Sequence, residues 1–166
     1  DLLFTHRGLS GPAILQISSY WRHGEPIAID MVPGCDPDWL VQAKRERPRA
    51  SIANALSAAL PARLAEALVG RLALDGELAN LPDRALRDAA QRLAGWTFKP
   101  NGTEGLAKAE VTAGGIATDG LSQQTMAARC VPGLHAIGEA VDVTGWLGGY
   151  NFQWAWSSGW AAGQAL

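Results

Sequence analysis

The chain has 166 residues, 48% hydrophobic and 18% charged, enough to bury the core of one domain or two small lobes. Its 14 basic and 16 acidic residues give a net charge of -2. The basic ones are scattered, which argues against a nucleic-acid-binding face, and no apolar run approaches the roughly 18 residues of a membrane span.

Two cysteines, Cys35 and Cys130, are too few for a disulfide framework or a zinc site, and no metal centre is expected. They read as reduced thiols of a cytoplasmic protein. The start, Asp1-Leu2-Leu3-Phe4-Thr5-His6, has neither the basic region nor the cleavage site of a signal peptide. It opens without Met directly into a strand-like run, which predicts a piece excised from a longer protein.

In chain order, Leu2–Thr5 reads as a short strand. Ser10 is a good N-cap and Pro12 fits the first turn of a helix running to about Tyr20. Ile27, Ile29 and Met31 alternate with Ala28, Asp30 and Val32, the pattern of a half-buried strand ending at Pro33-Gly34.

A helical zone follows. Asp36-Pro37-Asp38 starts a helix that Pro48 ends, and Ser51 caps a segment with Ile52, Leu56 and Leu60 on one face. Pro61 opens the next helix, carrying Leu64, Leu68 and Leu72, and Leu81-Pro82-Asp83 opens a last one through Leu86 and Leu93. These stripes predict a packed helical cluster over about 36–95.

From Thr97 the texture changes. This zone holds twelve of the chain's 19 glycines and few charges, so loops and close backbone approaches dominate it. Lys108–Ile116 reads as a strand and Gly133–Gly138 as a short buried one. A glycine-rich loop over Asp142–Gly149 leads into a helix from about Tyr150 to the C-terminus. The expected class is α+β: a helical cluster flanked by β-containing segments, ending in a strand–glycine loop–helix unit.

That last unit carries the chemistry. A helix N-terminus has unpaired N–H donors and a partial positive charge, suited to an anion or a carbonyl gaining negative charge. Glycines remove the Cβ atoms that would hold a planar ligand off the backbone. Glu139 or Asp142 would suit sugar-alcohol hydroxyls. Further along, Phe152, Trp156 and Trp160 form an aromatic stripe beside a small-residue one, Ala155, Gly159, Ala162 and Gly163. With Trp146 and Trp154 in the same apolar block, the tryptophans are expected to pack as core or against a part of a longer protein, rather than stack on carbohydrate.

Four ordered blocks carry a family resemblance: Phe4-Thr5-His6-Arg7-Gly8-Leu9-Ser10-Gly11-Pro12-Ala13-Ile14-Leu15-Gln16, Ala109–Ile116 with its Gly114-Gly115, Thr125-Met126, and Gly138–Gln153. Together they resemble the BaiN-like NAD(P)/FAD-dependent oxidoreductases, the HI0933-like flavoproteins of bacteria. The resemblance implies a fragment of an α/β, Rossmann-like FAD-binding fold. Residues 1–100 would be the latter part of an inserted substrate-side domain, and 101–166 the returning segment of the FAD-binding domain. The implied cofactor is FAD, reduced by NAD(P)H, with a small organic molecule as substrate. Charge and hydropathy predict neither a nucleic-acid nor a membrane partner.

Glu139, beside Gly138, would then meet the ribityl–pyrophosphate part of FAD. Gly149, Tyr150 and Asn151 would bring the helix N-terminus to the flavin pyrimidine edge, where reduced flavin carries negative charge. Gly115, Asp142, Gly148 and Gln153 complete the expected cofactor set. The G-x-G-x-x-G turn that grips the pyrophosphate is absent from these 166 residues. The implied partner is therefore an N-terminal FAD-binding half, without which this piece is expected to be inactive and to lack FAD. His6 is the candidate catalytic group, as a proton shuttle near a strand end, with a structural role as its alternative. The non-enzymatic alternative is a nucleotide-sensing or protein-interaction module.

Overall fold

The computed structural model describes all 166 residues. Asp1–Gly24 and Asn101–Leu166 form one compact unit, and Glu25–Pro100 forms another. The class is α+β, with small sheets and a helical cluster.

The first unit opens with a hairpin. β1 (Leu3–Thr5) pairs antiparallel with β2 (Gly8–Ser10), placing Leu3 opposite Ser10. Thr5 fastens the turn: its Oγ1 donates to Gly8 O at 3.0 Å and accepts from the Arg7 and Gly8 N–H groups at 3.2 Å. α1 (Pro12–Ser18) follows, with Pro12 at its first position as expected. Its N-cap is Gly11, not Ser10, and no side chain caps it. Ser10 is held in the hairpin register, so the chain turns one residue later. Gly11 turns at φ 91, where a Cβ would lie 3.1 Å from Leu3 N and 3.2 Å from Asp1 O. A side chain has no room there.

The second unit is the helical cluster. β3 (Ile27–Ile29) pairs antiparallel with β4 (Trp96–Phe98), closing the two ends of the unit on each other. Between them lie α2 (Trp39–Glu46), α3 (Ile52–Leu56), α4 (Ala62–Leu72) and α5 (Asp83–Ala94). The sequence signals set these helices closely. Ser51 Oγ accepts from Asn54 N–H at 3.2 Å, while Pro61 and Pro82 occupy the N-caps of α4 and α5. The leucine stripes meet in one core, with Leu40, Leu56, Leu78, Leu86 and Leu93 fully buried.

Over residues 101–166 the expected strands do not form. Over Lys108–Ile116 only Ile116 pairs, in an isolated parallel bridge to Val141. Over Gly133–Gly138 only His135 bridges, to Ala127, and Leu134 and Ile137 stay exposed where a buried strand was expected. A strand needs a neighbour along its length, and this chain supplies none at these places. A small core of Leu121, Met126, Ala136, Val141 and Ala162 holds the segment against α6 (Tyr150–Gly163). Cys35 and Cys130 are free and exposed. No helix is long and apolar enough to cross a membrane.

Candidate functional site

α6 begins at Gly149, which turns the chain with φ 93 and ψ 2, and Gly148 before it has φ 112. Both are left-handed angles that a Cβ makes costly. A Cβ built on Gly149 would meet nothing within 4 Å, and on Gly148 only the Tyr150 ring edge at 3.8 Å. The outer side of the loop is therefore open backbone. The first N–H of the helix with a backbone acceptor is that of Gln153, on Gly149 O at 2.9 Å. The N–H groups of Tyr150, Asn151 and Phe152 precede it without one, as at any helix start.

Three side chains hold this loop. Asn151 Oδ1 accepts from Gly145 N–H at 2.6 Å, and its Nδ2 donates to Gly145 O at 3.1 Å. From α1, Gln16 Oε1 accepts from Leu147 N–H at 3.0 Å. Just beyond α1, Tyr20 OH accepts from Trp146 Nε1 at 3.1 Å. Gly145 has no spare room, since a Cβ there would sit 2.8 Å from Tyr150 Cβ.

Below the loop, Gly138 is buried at φ 59 and its backbone is spent on α6. Its N–H donates to Ser158 Oγ and its carbonyl accepts from Trp154 Nε1, both at 2.9 Å. Gly115 packs against the following backbone, where a Cβ would come within 2.8 Å of Ala140 O. Glu139 Oε1 accepts from Thr112 N–H at 2.6 Å. That contact ties two loops together while Glu139 itself remains exposed.

The residues singled out from sequence thus divide. Asp142, Gly148, Gly149 and Tyr150 are exposed and lie on or beside the open loop. Gly115, Gly138, Glu139 and Asn151 hold the loop's surroundings through the contacts above. Gln153 donates from Nε2 to Ser157 Oγ at 2.9 Å along the helix surface. His6 stands exposed at the tip of the β1–β2 hairpin, and no hydrogen bond joins it to the loop. Sequence reasoning missed Gln16, Tyr20 and Ser158. Gln16 lies on α1 and Tyr20 just beyond it, and no local pattern named their partners more than a hundred residues away.

Burial as core, one of the two expected placements, is not what this chain shows for its aromatic stripe. Trp154 is half-buried, but Trp156 is 77% and Trp160 69% exposed, with Phe152 and Trp146 also exposed. Within this chain the aromatic stripe is an uncovered face, because α6 turns Trp154, Ser158 and Ala162 inward instead.

Residues 1–111 match the family described as the HI0933-like protein barrel and H2TH domain. The chain belongs to the HI0933-like family. Its four three-residue strands lie in two separate pairs, so no barrel closes within this HI0933-like chain. Over its whole length the chain is 51% identical to the ribosomal RNA dihydrouridine synthase of Escherichia coli (strain K12), covering 42% of that protein. It is 45% identical to the ribosomal RNA dihydrouridine synthase of Haemophilus influenzae, again covering 42%. Similarity also extends, at 29% identity over 99% of the chain, to the 3-dehydro-bile acid delta(4,6)-reductase of Clostridium scindens, covering 43% of it. All three relatives are named as enzymes. The HI0933-like chain spans about two fifths of the length of these curated relatives.

Proposed function

We propose that this chain is the loop-bearing part of an FAD-dependent reductase that saturates the C5=C6 bond of a uridine in ribosomal RNA. The observation that carries the reading is 51% identity, over the whole chain, to a ribosomal RNA dihydrouridine synthase. Uracil and a 3-dehydro delta(4,6) steroid share one chemical feature, a C=C bond conjugated to a carbonyl. Both names therefore describe hydride addition to a polarised double bond.

The residues fit a flavin. Gly148 and Gly149 leave open backbone on the loop's outer side, and the donors of Tyr150, Asn151 and Phe152 suit the electron-rich pyrimidine edge of a reduced flavin. Bound FAD would supply hydride to the substrate after accepting it from NAD(P)H. The chain's own part is to present the helix N-terminus and keep the loop's shape, through Asn151 and the two α1-side contacts. Residues 101–166 are read as the returning segment of the FAD domain and 1–100 as the latter part of the substrate-side insert. The pyrophosphate turn lies in an N-terminal FAD-binding half, which would also cover the exposed face of Trp156 and Trp160.

An RNA substrate replaces the expectation of no nucleic-acid partner. Arg45, Arg47 and Arg49 are exposed and none forms a salt bridge, so cations are free for phosphate contact on the helical unit. A second reading keeps the BaiN-like resemblance and takes a small conjugated ketone, favoured by the 29% identity to the delta(4,6)-reductase.

The test is to purify the full-length gene product, identify its chromophore, and supply NAD(P)H with unmodified ribosomal RNA. The expected result is bound FAD and a uridine heavier by two hydrogens, located by mass spectrometry. A flavoprotein that leaves the RNA unchanged but reduces a conjugated ketone overturns the RNA reading. A colourless protein overturns both.

A further inference from the structure

Gln16 and Tyr20 belong to the first segment of the chain, and the loop they hold is separated from them by more than a hundred residues. We propose that they are positioning residues for the glycine loop, Gln16 setting the shape in which the loop faces a flavin. The inference rests on the flavin reading above.

The loop is anchored at its base and free at its exit. Asn151 fixes Gly145 at both its N–H and its carbonyl. Gly148 and Gly149, at left-handed angles with open space about them, are the two positions where the backbone can swing. Between base and hinge lie Trp146 and Leu147. Their only hydrogen bonds to the rest of the chain are the indole N–H on Tyr20 OH and the backbone N–H on Gln16 Oε1. Remove the Gln16 acceptor and nothing from the protein restrains the middle of the loop's backbone.

The holding side is itself well placed. α1 is tied back to the start of the chain by Ala13 N–H on Asp1 O at 3.0 Å and by the tight approach of Gly11 to Leu3. α1 has no buried residue of its own. Its polar reach to the loop therefore serves the loop more than the core. α1 also lies within residues 1–111, matched by the barrel and H2TH family, whereas Leu147 lies beyond them. A segment inside the family match thus reaches a loop that lies beyond it.

The experiment uses the full-length gene product, stripped of flavin and titrated with FAD, with dissociation constant and visible circular dichroism as readouts. Gln16→Leu keeps the side chain's bulk and removes the acceptor, while Gln16→Glu keeps an acceptor oxygen. The expected result is a three- to tenfold, roughly, weaker FAD affinity for Gln16→Leu, with an altered flavin dichroism, and near-normal values for Gln16→Glu. Tyr20→Phe should shift both in the same direction by less, since it frees the Trp146 side chain and leaves the backbone hydrogen bond of Leu147 in place. Melting temperatures identify any variant that fails to fold, in which case Tyr20→Phe decides. Wild-type affinity and dichroism in Gln16→Leu overturn the inference alone. Equal weakening by Leu and Glu also overturns it, because the acceptor would not matter. A wild-type product with no affinity for FAD overturns the flavin reading and this inference together.

Discussion

Asn151 and Gly145 form a closed pair: the side-chain amide of one accepts from the N–H of the other at 2.6 Å and donates to its carbonyl at 3.1 Å. The pair imitates the two-bond exchange of facing residues in an antiparallel ladder, with a side chain in place of the second backbone. It requires glycine at 145, because a Cβ would lie 3.1 Å from both Asn151 N and Asn151 Oδ1. From sequence, Asn151 reads as a direct cofactor contact. In the folded chain its amide is already engaged, so its first effect on any ligand is through the loop.

This pairing gives an order of damage within the loop. Asn151→Ala removes two hydrogen bonds, a loss of about 1–3 kcal/mol in local stability. Gly149→Ala keeps both bonds and has open space for the methyl, so only the left-handed angle opposes it, at roughly 1 kcal/mol. Hydrogen exchange on this chain would report the Gly145 amide. It should be protected in the wild type and in Gly149→Ala, and exchange freely in Asn151→Ala. Equal protection in all three would mean the pair does not hold the loop.

The helical unit was legible because its signals are local. Ser51, Pro61 and Pro82 punctuate the chain within a turn of the residues they act on, and leucines spaced by four show which face is buried. Residues 101–166 were harder. Lys108–Ile116 has strand composition, yet a strand exists only where a neighbour accepts its hydrogen bonds, and Ile116 alone finds one. Ser10 has capping chemistry, but its place opposite Leu3 in the hairpin pre-empted it. The loop itself was readable from its glycines. Its holders Gln16 and Tyr20 were not, since no local pattern in α1 names a partner beyond residue 140.

The α5 stripe gives a stability test. Leu86 is fully buried with Leu93, Ala89 and Ala90 beside it. Leu86→Ala should destabilise the unit by about 2–5 kcal/mol, the transfer loss plus the cavity left behind. Arg84→Ala, exposed on the same helix, should change stability by no more than about 0.5 kcal/mol. Urea unfolding followed by far-ultraviolet circular dichroism would separate them. Comparable effects would mean that the stripe is not the packing face.

Acid should act partly through Asp83. Lys44 Nζ lies 2.8 Å from its carboxylate and also donates to Leu81 O at 2.7 Å. The Lys44 hydrogen bond holds the Asp83 carboxyl below its ordinary value of 3.8. The unfolded chain therefore binds this proton more readily than the folded one. The contribution is present above about pH 4 and is lost as pH falls through the lowered folded value. Wild type should be more stable than Asp83→Asn at neutral pH, and the gap should close in acid. It should also shrink with added salt, since the pair is partly exposed. A gap that widened on acidification would refute the assignment.

The uncovered aromatic face makes opposite demands on this chain and on the full-length gene product. In the chain, Trp156 and Trp160 are mostly solvated, so replacing both by serine removes little buried area. The melting temperature of the chain should move by no more than a degree or two, equivalent to about 0.5 kcal/mol. A contiguous aromatic stripe in water also favours self-association, so the double variant should bind less hydrophobic dye and remain monomeric at higher concentration. In the full-length product the proposed N-terminal half covers the face, and the same two substitutions should there cost several kcal/mol, as truncation of packed aromatics does. The indole emission supplies an independent reading: red-shifted in the isolated chain for these two residues, blue-shifted in the full-length product. If the double variant melts several degrees lower in the isolated chain, α6 packs its aromatic side inward. If it leaves the full-length product unchanged as well, no other part of the protein covers that face.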